Sequence, residues 1–270
     1  MVVRAGRIGL KRLKYFAALA LFVVPISYTH AETVLITGAN KGIGLEFAKQ
    51  YAAMEFKVIA THRRTITPDT LSALQQEYPS NVLIERIDVR NLDMIDAVAE
   101  KYRGQPIDIL ISNAAIVADL TDPTPQMLGS LDFPLFTVFM ETNVRGPLKM
   151  AEAFREHVKQ SEMKRIISIS SLSGSLGTGP TRLGGRVYYK TSKAALNMAM
   201  ITVARATADD GIIVASLHPG GVKVEKLANF NVPGFMPPAE SVGGMIKVIN
   251  ELTPNQSGWF LDWKGRVQPW

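Results

Sequence analysis

Short apolar runs alternate with amphipathic stretches along most of the chain. The apolar runs are rich in Val, Ile and Leu, which is typical of strands buried on both faces of a sheet, and they predict strands over residues 33–37, 57–61, 82–87, 107–112, 165–170, 212–217 and 258–261. Apolar positions at helical spacing predict helices over residues 43–54, 68–77, 92–102, 134–159, 189–208 and 239–251. The alternation predicts an α/β fold, a Rossmann-type doubly wound, mostly parallel seven-stranded sheet with helices on both faces.

Length and charge restrict the classes of protein to consider. The chain has 270 residues and no linker divides residues 32–270, which we interpret as a single domain. The net charge is +6, but five Lys and Arg residues precede residue 15 and leave only +1 for the rest, so no nucleic-acid partner is expected. The absence of Cys excludes disulfides and thiolate catalysis. The four His residues lack the spacing of a metal pair, so no metal is expected.

The N-terminal segment, residues 1–31, has the pattern of a secretory signal. Residues 1–14 are basic, residues 15–28 are almost entirely apolar, and Thr29-His30-Ala31 resembles a cleavage site. The apolar run of 14 residues is shorter than the roughly 20 needed to span a bilayer. The alternatives are a short uncleaved anchor, the one case that implies membrane contact, and a mis-assigned start. We expect an exported protein if the segment is a signal, and otherwise a cytoplasmic or membrane-associated one.

A glycine-rich loop joins the first predicted strand to the first predicted helix. Its glycines allow the backbone to turn tightly against a pyrophosphate, and the helix N-terminus that follows favours an anion. An ordinary glycine turn would explain the same pattern without a ligand. The candidate cofactor-binding residues of this loop are Gly38, Asn40, Lys41, Gly42, Ile43 and Gly44.

The end of the second predicted strand bears on the choice of cofactor. Enzymes that select NAD usually carry a carboxylate there, whereas this chain has Arg63 and Arg64. A guanidinium matches a 2′-phosphate, and Lys41 would add a second positive charge. We therefore expect NADP(H) as the preferred cofactor and NAD(H) as the second choice, the alternative being two solvated surface arginines.

Three further residues predict acid–base chemistry. Tyr189 and Lys193 are four positions apart at the start of a predicted helix and lie on one face of it. A free Tyr titrates near pH 10, and a neighbouring ammonium is expected to lower the pKa of Tyr189. Ser171 follows the fifth strand, at the ligand edge of a parallel sheet, where its hydroxyl can donate to a carbonyl oxygen. Each residue alone has an ordinary explanation, as a helix-surface or turn residue.

Together these motifs resemble the short-chain dehydrogenase/reductase family, over residues 33–270. The end of the chain resembles the subgroup of Sniffer-type and C-factor-like carbonyl reductases. The resemblance implies that Lys193 binds the nicotinamide ribose and that Asn143 holds a water on a proton relay. It also implies cofactor contacts from Tyr189, Asp88, Val89, Asn113, Ala114, Pro219, Gly220 and Val222.

The resemblance implies reduction of an aldehyde or ketone. Tyr189 protonates the carbonyl oxygen and Ser171 hydrogen-bonds it, with Asn143 and Lys193 completing the catalytic set. Apolar residues in the loop 226–238 indicate a hydrophobic carbonyl or alcohol as the small-molecule partner, and a core or lid role would explain the same residues equally well. Residues 178–187 predict an extra loop beside the pocket. Homo-oligomerisation is left open. The alternatives are a non-catalytic dinucleotide-binding redox sensor and an enzyme like the epimerases or dehydratases of sugar nucleotides.

Overall fold

The computed structural model describes residues 1–2, 31–117, 123–178, 185–224 and 234–270. The predicted signal or anchor, most of the apolar loop 226–238 and part of the predicted loop 178–187 lie outside the described residues. Residues Ala31–Trp270 form one compact unit. Among the helices of the described ranges, we find none that combines the length and apolar character needed to cross a membrane.

Seven strands form one sheet in the order β3-β2-β1-β4-β5-β6-β7. Every neighbouring pair is parallel, so the sheet is wholly rather than mostly parallel. The order reverses between β1 and β4, as in a doubly wound sheet, which confirms the predicted fold. The strands are β1 Thr33–Ile36, β2 Lys57–His62, β3 Val82–Arg86, β4 Ile109–Ser112, β5 Arg165–Ile169, β6 Ile213–His218 and β7 Trp259–Asp262.

Helices cover both faces of this sheet. Alternate residues of β1 point to opposite faces: Val34 belongs to a core shared with α1, α2 and α8, and Leu35 to a core shared with α3, α5 and α7. The central strands are buried on both sides, which explains their continuous apolar sequences. The helices are α1 Gly42–Ala53, α2 Asp69–Glu77, α3 Leu92–Lys101, α4 Phe133–Met140, α5 Gly146–Ala153, α6 Arg155–Lys159, α7 Val187–Ala206 and α8 Pro238–Glu251.

The prediction of one long helix over residues 134–159 is wrong. A π-helical segment, Glu141–Arg145, separates α4 from α5, and Phe154 separates α5 from α6. Pro147 has no N–H to donate to the carbonyl of Asn143, so a regular α-helix cannot continue through this point. Single π-helical turns occur frequently at functional sites, and this one contains Asn143.

Candidate active site

The loop between β1 and α1 is folded too tightly for side chains at its glycines. Gly38 has a φ of +67°, and a Cβ there would lie 3.0 Å from the Cα of Ala114. At Gly44 a Cβ would lie 2.3 Å from the carbonyl oxygen of Gly38 and 2.4 Å from Nδ2 of Asn113. The loop therefore presents backbone at the N-terminus of α1, which is the geometry that fits a pyrophosphate.

The rest of the predicted loop residues frame this backbone. The carbonyl oxygen of Asn40 accepts a hydrogen bond from Thr70 of α2 at 2.8 Å. Lys41 is exposed, Gly42 has a φ of +54°, and Ile43 packs against the core beneath. Lys41 is thus the cation of this loop that faces solvent. The loop follows β1, which is the neighbour of β2, and Arg63 follows β2.

Asn113 and Thr37 hold the glycine loop in place. Asn113 follows the adjacent strand β4, and Thr37 follows β1 at the start of the loop. Nδ2 of Asn113 donates to the carbonyl oxygens of Thr37 and Gly38, at 2.9 and 3.2 Å. The Thr37 hydroxyl oxygen accepts the backbone N–H groups of Asn113 and Ala114, both at 3.0 Å. Asn113 therefore orients the loop, and Thr37 is a positioning residue that the sequence did not reveal.

The ends of β2 and β3 form the outer part of the site. Arg63 is exposed immediately after β2, and Asp88 follows β3, beside a cavity of about 530 Å³. Burial opposes ionisation of Asp88, but hydrogen bonds and charge from Arg90, with a smaller effect of Arg63, hold its pKa below the usual value. Arg90 was not predicted. The side chain of Val89 is buried against Gly146, so this residue can face a ligand only through its backbone.

Tyr189, Ser171 and Lys193 lie together and are buried, with 7, 8 and 3% of their surfaces exposed. Hydrogen bonding with the Ser171 side chain lowers the pKa of the Tyr189 phenol, and Oγ of Ser171 accepts the N–H of Ser173 at 3.1 Å. Nζ of Lys193 lies 5.9 Å from the Tyr189 ring centroid and donates to the carbonyl oxygen of Ile169 at 2.8 Å. The structure therefore brings together three residues that the sequence separates by up to 22 positions.

The ionisation of this cluster differs from the sequence expectation. Burial raises the pKa of Tyr189, and the hydrogen bond with Ser171 lowers it only in part. Lys193 was expected to lower the pKa of Tyr189, but its ammonium is directed at the Ile169 carbonyl and burial has the larger effect. Burial also lowers the pKa of Lys193 to about 8.

Asn143 is 1% exposed and its side-chain amide is occupied by protein groups. Oδ1 accepts the N–H of Ile116 at 2.9 Å, and Nδ2 donates to the Ile116 carbonyl oxygen and to the Ser192 hydroxyl, both at 3.0 Å. Ser192 in turn donates to the carbonyl oxygen of Tyr189 at 2.8 Å. Asn143 therefore connects α4 and α5 to the main chain at Tyr189, and its role on a proton relay stays a prediction.

All of these groups meet at the carboxyl edge of the sheet. The glycine loop follows β1 and Asn113 follows β4, the two neighbours between which the strand order reverses, while Ser171 follows β5. Ligands of open parallel sheets bind in the crevice at such a reversal.

Residues 32–232 match the family described as short chain dehydrogenase. The chain belongs to the short-chain dehydrogenase/reductase family. It is an NAD(P)-dependent oxidoreductase of that family, as the sequence predicted.

The similar proteins support the predicted subgroup of this family. An NADPH-bound carbonyl reductase from chicken fatty liver superposes with a TM-score of 0.80 at 31% identity, covering 89% of this chain and 99% of that one. The carbonyl reductase Sniffer of D. melanogaster gives 0.76 at 28% identity, with 89 and 100% covered. C-signal of Myxococcus xanthus is 32% identical over 165 residues, 61% of this chain and 93% of its own length.

The predicted cofactor contacts Pro219, Gly220 and Val222 form a segment that follows β6 and is held by residues that the sequence did not reveal. Ser241 of α8 donates to the carbonyl oxygen of Pro219 at 2.6 Å. Gly220 has a φ of +80°, and a Cβ there would lie 2.8 Å from Cε of Met236. Val222 is buried and pairs with the backbone of Met236. The segment is therefore fixed against the start of α8.

His218 is a further residue of this oxidoreductase that sequence reasoning missed. Its Nδ1 accepts the backbone N–H of Leu172, the residue after Ser171, at 3.3 Å. Burial lowers the pKa of His218 to about 4, with a small opposing effect of Asp262, so the imidazole stays neutral and can accept this bond at neutral pH. Its position before Pro219 was the only sequence signal.

Proposed function

We propose that the protein is an NADP(H)-dependent carbonyl reductase that acts on apolar aldehydes or ketones, with Tyr189 as the proton donor. The observation that carries the proposal is the buried cluster of Tyr189, Ser171 and Lys193, together with a loop at the same edge of the sheet whose glycines leave no room for side chains. A redox sensor would not need this cluster, and an epimerase or dehydratase would require a sugar nucleotide as its substrate. Oxidation of NADPH by simple carbonyls is therefore expected only of a carbonyl reductase, and measuring it separates the three functions.

The residues present fit a dinucleotide. The glycine loop would receive the pyrophosphate, Asp88 the adenine, and Lys193 the hydroxyls of the nicotinamide ribose. Arg63 and Lys41 are exposed on the loops after β2 and β1, where they would pair with a 2′-phosphate. Structures of similar proteins with bound NADPH or NADP support this choice.

When bound in this way, the nicotinamide would be the source of the hydride for the carbonyl carbon. The Tyr189 phenol donates its proton to the carbonyl oxygen, and the Ser171 hydroxyl stabilises the charge that develops there. Because burial raises the pKa of Tyr189, the phenol is protonated at neutral pH, which is the form that reduction requires. Lys193 supplies a positive charge next to this pair.

Exposed apolar side chains lie in the β4–α4 and β5–α7 connections and at the first residues of α4 and α7, and we call them the apolar rim. The described charged residues of the two connections are Asp132 and Arg186. Such a surface favours a substrate with a hydrocarbon chain. The rim consists of exposed Val117, Met127, Leu128, Phe133, Leu176 and Val187.

A series of straight-chain aldehydes tests the substrate class. With NADPH, kcat/KM should rise about fourfold per added methylene from propanal to nonanal, since burying one CH₂ contributes about 0.8 kcal/mol. The measurement is the loss of NADPH absorbance. Succinic semialdehyde, which carries a carboxylate, is the control and should be a poor substrate. A flat series would contradict the apolar substrate class.

Arg63→Ala tests the choice of cofactor. The Kd of NADPH should rise about 5- to 150-fold, the effect of losing about 1–3 kcal/mol from a charge-assisted hydrogen bond, while the Kd of NADH stays unchanged. Arg64→Ala is the matched control, because Arg64 is the adjacent exposed arginine. Titration of protein fluorescence gives both constants. Equal losses for NADPH and NADH would mean that Arg63 does not bind the phosphate.

We also propose that residues 1–31 direct export and are removed after Ala31. The basic and apolar stretches support this, and cleavage would leave only Glu32 before β1 at Thr33. N-terminal sequencing of the protein from exported and cytosolic fractions of its host should give a mature start at Glu32 in the exported fraction. Intact Met1 on soluble cytosolic protein would contradict export, and intact Met1 on membranes would favour the uncleaved anchor.

A further inference from the structure

The first turn of α7 lacks a local cap. The first N–H groups of a helix have no acceptor within the helix, and the side chain of the preceding residue commonly accepts one at the second or third position. Arg186, which precedes α7, makes no such capping hydrogen bond, and the first intrahelical bond runs from Lys190 N–H to the Arg186 carbonyl at 3.2 Å. Tyr189 is the third residue of this helix, so its N–H needs an acceptor from elsewhere.

Gln126 supplies that acceptor. Its Oε1 accepts the backbone N–H of Tyr189 at 3.1 Å, across 63 positions of sequence. The Gln126 side chain is only 2% exposed. A long-range side chain thus provides the cap that the local sequence does not, at the residue proposed to donate the proton.

The loop that carries Gln126 is braced independently of α7. Gln126 ends a short 3₁₀ turn that begins at Thr124. The Ser130 hydroxyl donates to the Thr124 carbonyl oxygen at 2.8 Å, and Asp132 N–H donates to the carbonyl oxygen of Pro125 at 3.0 Å. These bonds fix the backbone at Gln126, so the side chain can orient α7 rather than merely follow it.

The same loop contributes to the apolar rim. Met127 and Leu128 follow Gln126 directly and are 41 and 88% exposed. A substrate chain that packs on these residues would further restrain the loop from which Gln126 reaches Tyr189. Occupation of the rim and alignment of the phenol are therefore connected through one side chain.

We propose that Gln126 is a positioning residue that fixes the main chain at Tyr189 and couples binding on the apolar rim to proton donation. The proposal rests on the proposed role of Tyr189. Ser192 and Asn143 hold the carbonyl side of Tyr189, while Gln126 holds its N–H side. Loss of either bond lets the phenol shift from the carbonyl oxygen that it protonates, and shifts of about 1 Å reduce turnover severely.

Three variants of the full chain test this role. Gln126→Met keeps the length and removes the acceptor, and it should lower kcat about tenfold, the scale of one lost buried hydrogen bond, with KM and the Kd of NADPH within about twofold of wild type. Gln126→Glu keeps an acceptor oxygen and should restore most of kcat. Gln75→Met is the matched control: it makes the same substitution between α2 and β3, removes the bond from Gln75 Nε2 to the carbonyl oxygen of Val82, and should leave kcat near the wild-type value.

The substrate series gives a second readout. In the wild type, kcat should increase with aldehyde length because a longer chain further restrains the loop at Gln126, whereas in Gln126→Met chain length should change only KM. Thermal unfolding of each variant establishes that it is folded. A Gln126→Met enzyme with wild-type kcat, a Gln126→Glu enzyme as slow as Gln126→Met, or an equal loss in Gln75→Met would overturn the proposal.

Tyr189→Phe separates this proposal from the proposed function. If Tyr189→Phe keeps normal turnover, the chemical role of Tyr189 fails and the role of Gln126 fails with it. If Tyr189→Phe is inactive while Gln126→Met is normal, the reductase mechanism stands and only the positioning role is overturned. In the Tyr189→Phe background, Gln126→Met should have no further effect on residual turnover, since no phenol remains to be aligned.

Discussion

Replacing Tyr189 with Phe is expected to lower kcat for carbonyl reduction about 10²–10⁴-fold, the range for loss of a general acid. The ring is buried in a small cluster with Phe139 and Tyr188, and Phe preserves that packing. The variant removes only the phenol hydroxyl, whose pKa the Ser171 side chain lowers. The fold and the affinity for NADPH should therefore stay near wild type while turnover is lost.

Tyr188→Phe is the matched control for this prediction. Tyr188 is the neighbouring residue, it is 2% exposed, and its hydroxyl has no hydrogen-bond partner within the described part of the chain. Removing that hydroxyl should leave kcat unchanged. Rates are measured by NADPH absorbance with a good aldehyde substrate, and Kd by fluorescence. Near-normal turnover in Tyr189→Phe, or a similar loss in both variants, would mean that Tyr189 is not the proton donor.

The sequence predicted the sheet well because its strands are buried on both faces. β1, β2 and β5 each contain consecutive buried apolar residues, such as Val58, Ile59 and Ala60 of β2, a pattern that few other structures require. β4 begins two residues later than expected, at Ile109, because the Asp108 carboxylate accepts the N–H of Thr33 at 2.8 Å instead of continuing the apolar run. The error at residues 134–159 also comes from a single residue that interrupts a regular pattern. The spacing of apolar residues predicts a continuous helix, but it does not show that Pro147 lacks the N–H that such a helix needs.

The site was predicted only where a residue carries its own chemistry. Tyr189 and Lys193 are recognisable because acid–base catalysis requires those groups at that spacing, and the structure brings them together with Ser171. Gln126 and His218 were missed because their function depends on partners 63 and 46 positions away. An amide or a neutral imidazole that accepts one backbone N–H leaves no pattern in the sequence, although it sets the geometry on which the recognisable residues depend.

Lys193→Met should remove activity and stabilise the protein at the same time. Lys193 is 3% exposed, and burial lowers its pKa from 10.5 to about 8. Burying the ammonium therefore reduces the stability of the folded protein. We expect the charge to be kept there because it lies next to Tyr189 and the proposed ribose site. Turnover should fall at least about 100-fold, and the Kd of NADPH should rise about tenfold or more, because hydrogen bonds from a charged donor are lost.

The stability gain depends on pH with a definite sign. Below pH 8 the lysine is protonated in both the folded and the unfolded state, so the full cost of burial is present, about 3–4 kcal/mol at roughly 1.4 kcal/mol per pKa unit. Between pH 8 and 10.5 the unfolded state binds more protons, so the wild type gains stability as the pH rises. The Met variant should therefore unfold at a higher temperature at pH 7, by about 2–4 °C per kcal/mol, and the difference should close towards pH 10.

Lys190→Met is the control for the Lys193 prediction, because it makes the same substitution one turn earlier on α7, at a half-buried position. It should change neither the pH dependence of unfolding nor the affinity for NADPH. Thermal unfolding by circular dichroism from pH 6.5 to 10, with NADPH titrations at pH 7, measures both effects. A Lys193→Met variant less stable than wild type at pH 7 would show that the bond from Nζ to the Ile169 carbonyl outweighs the cost of burying the charge. The ammonium would then be a structural group, and its place beside Tyr189 would not be evidence of a balance between stability and function.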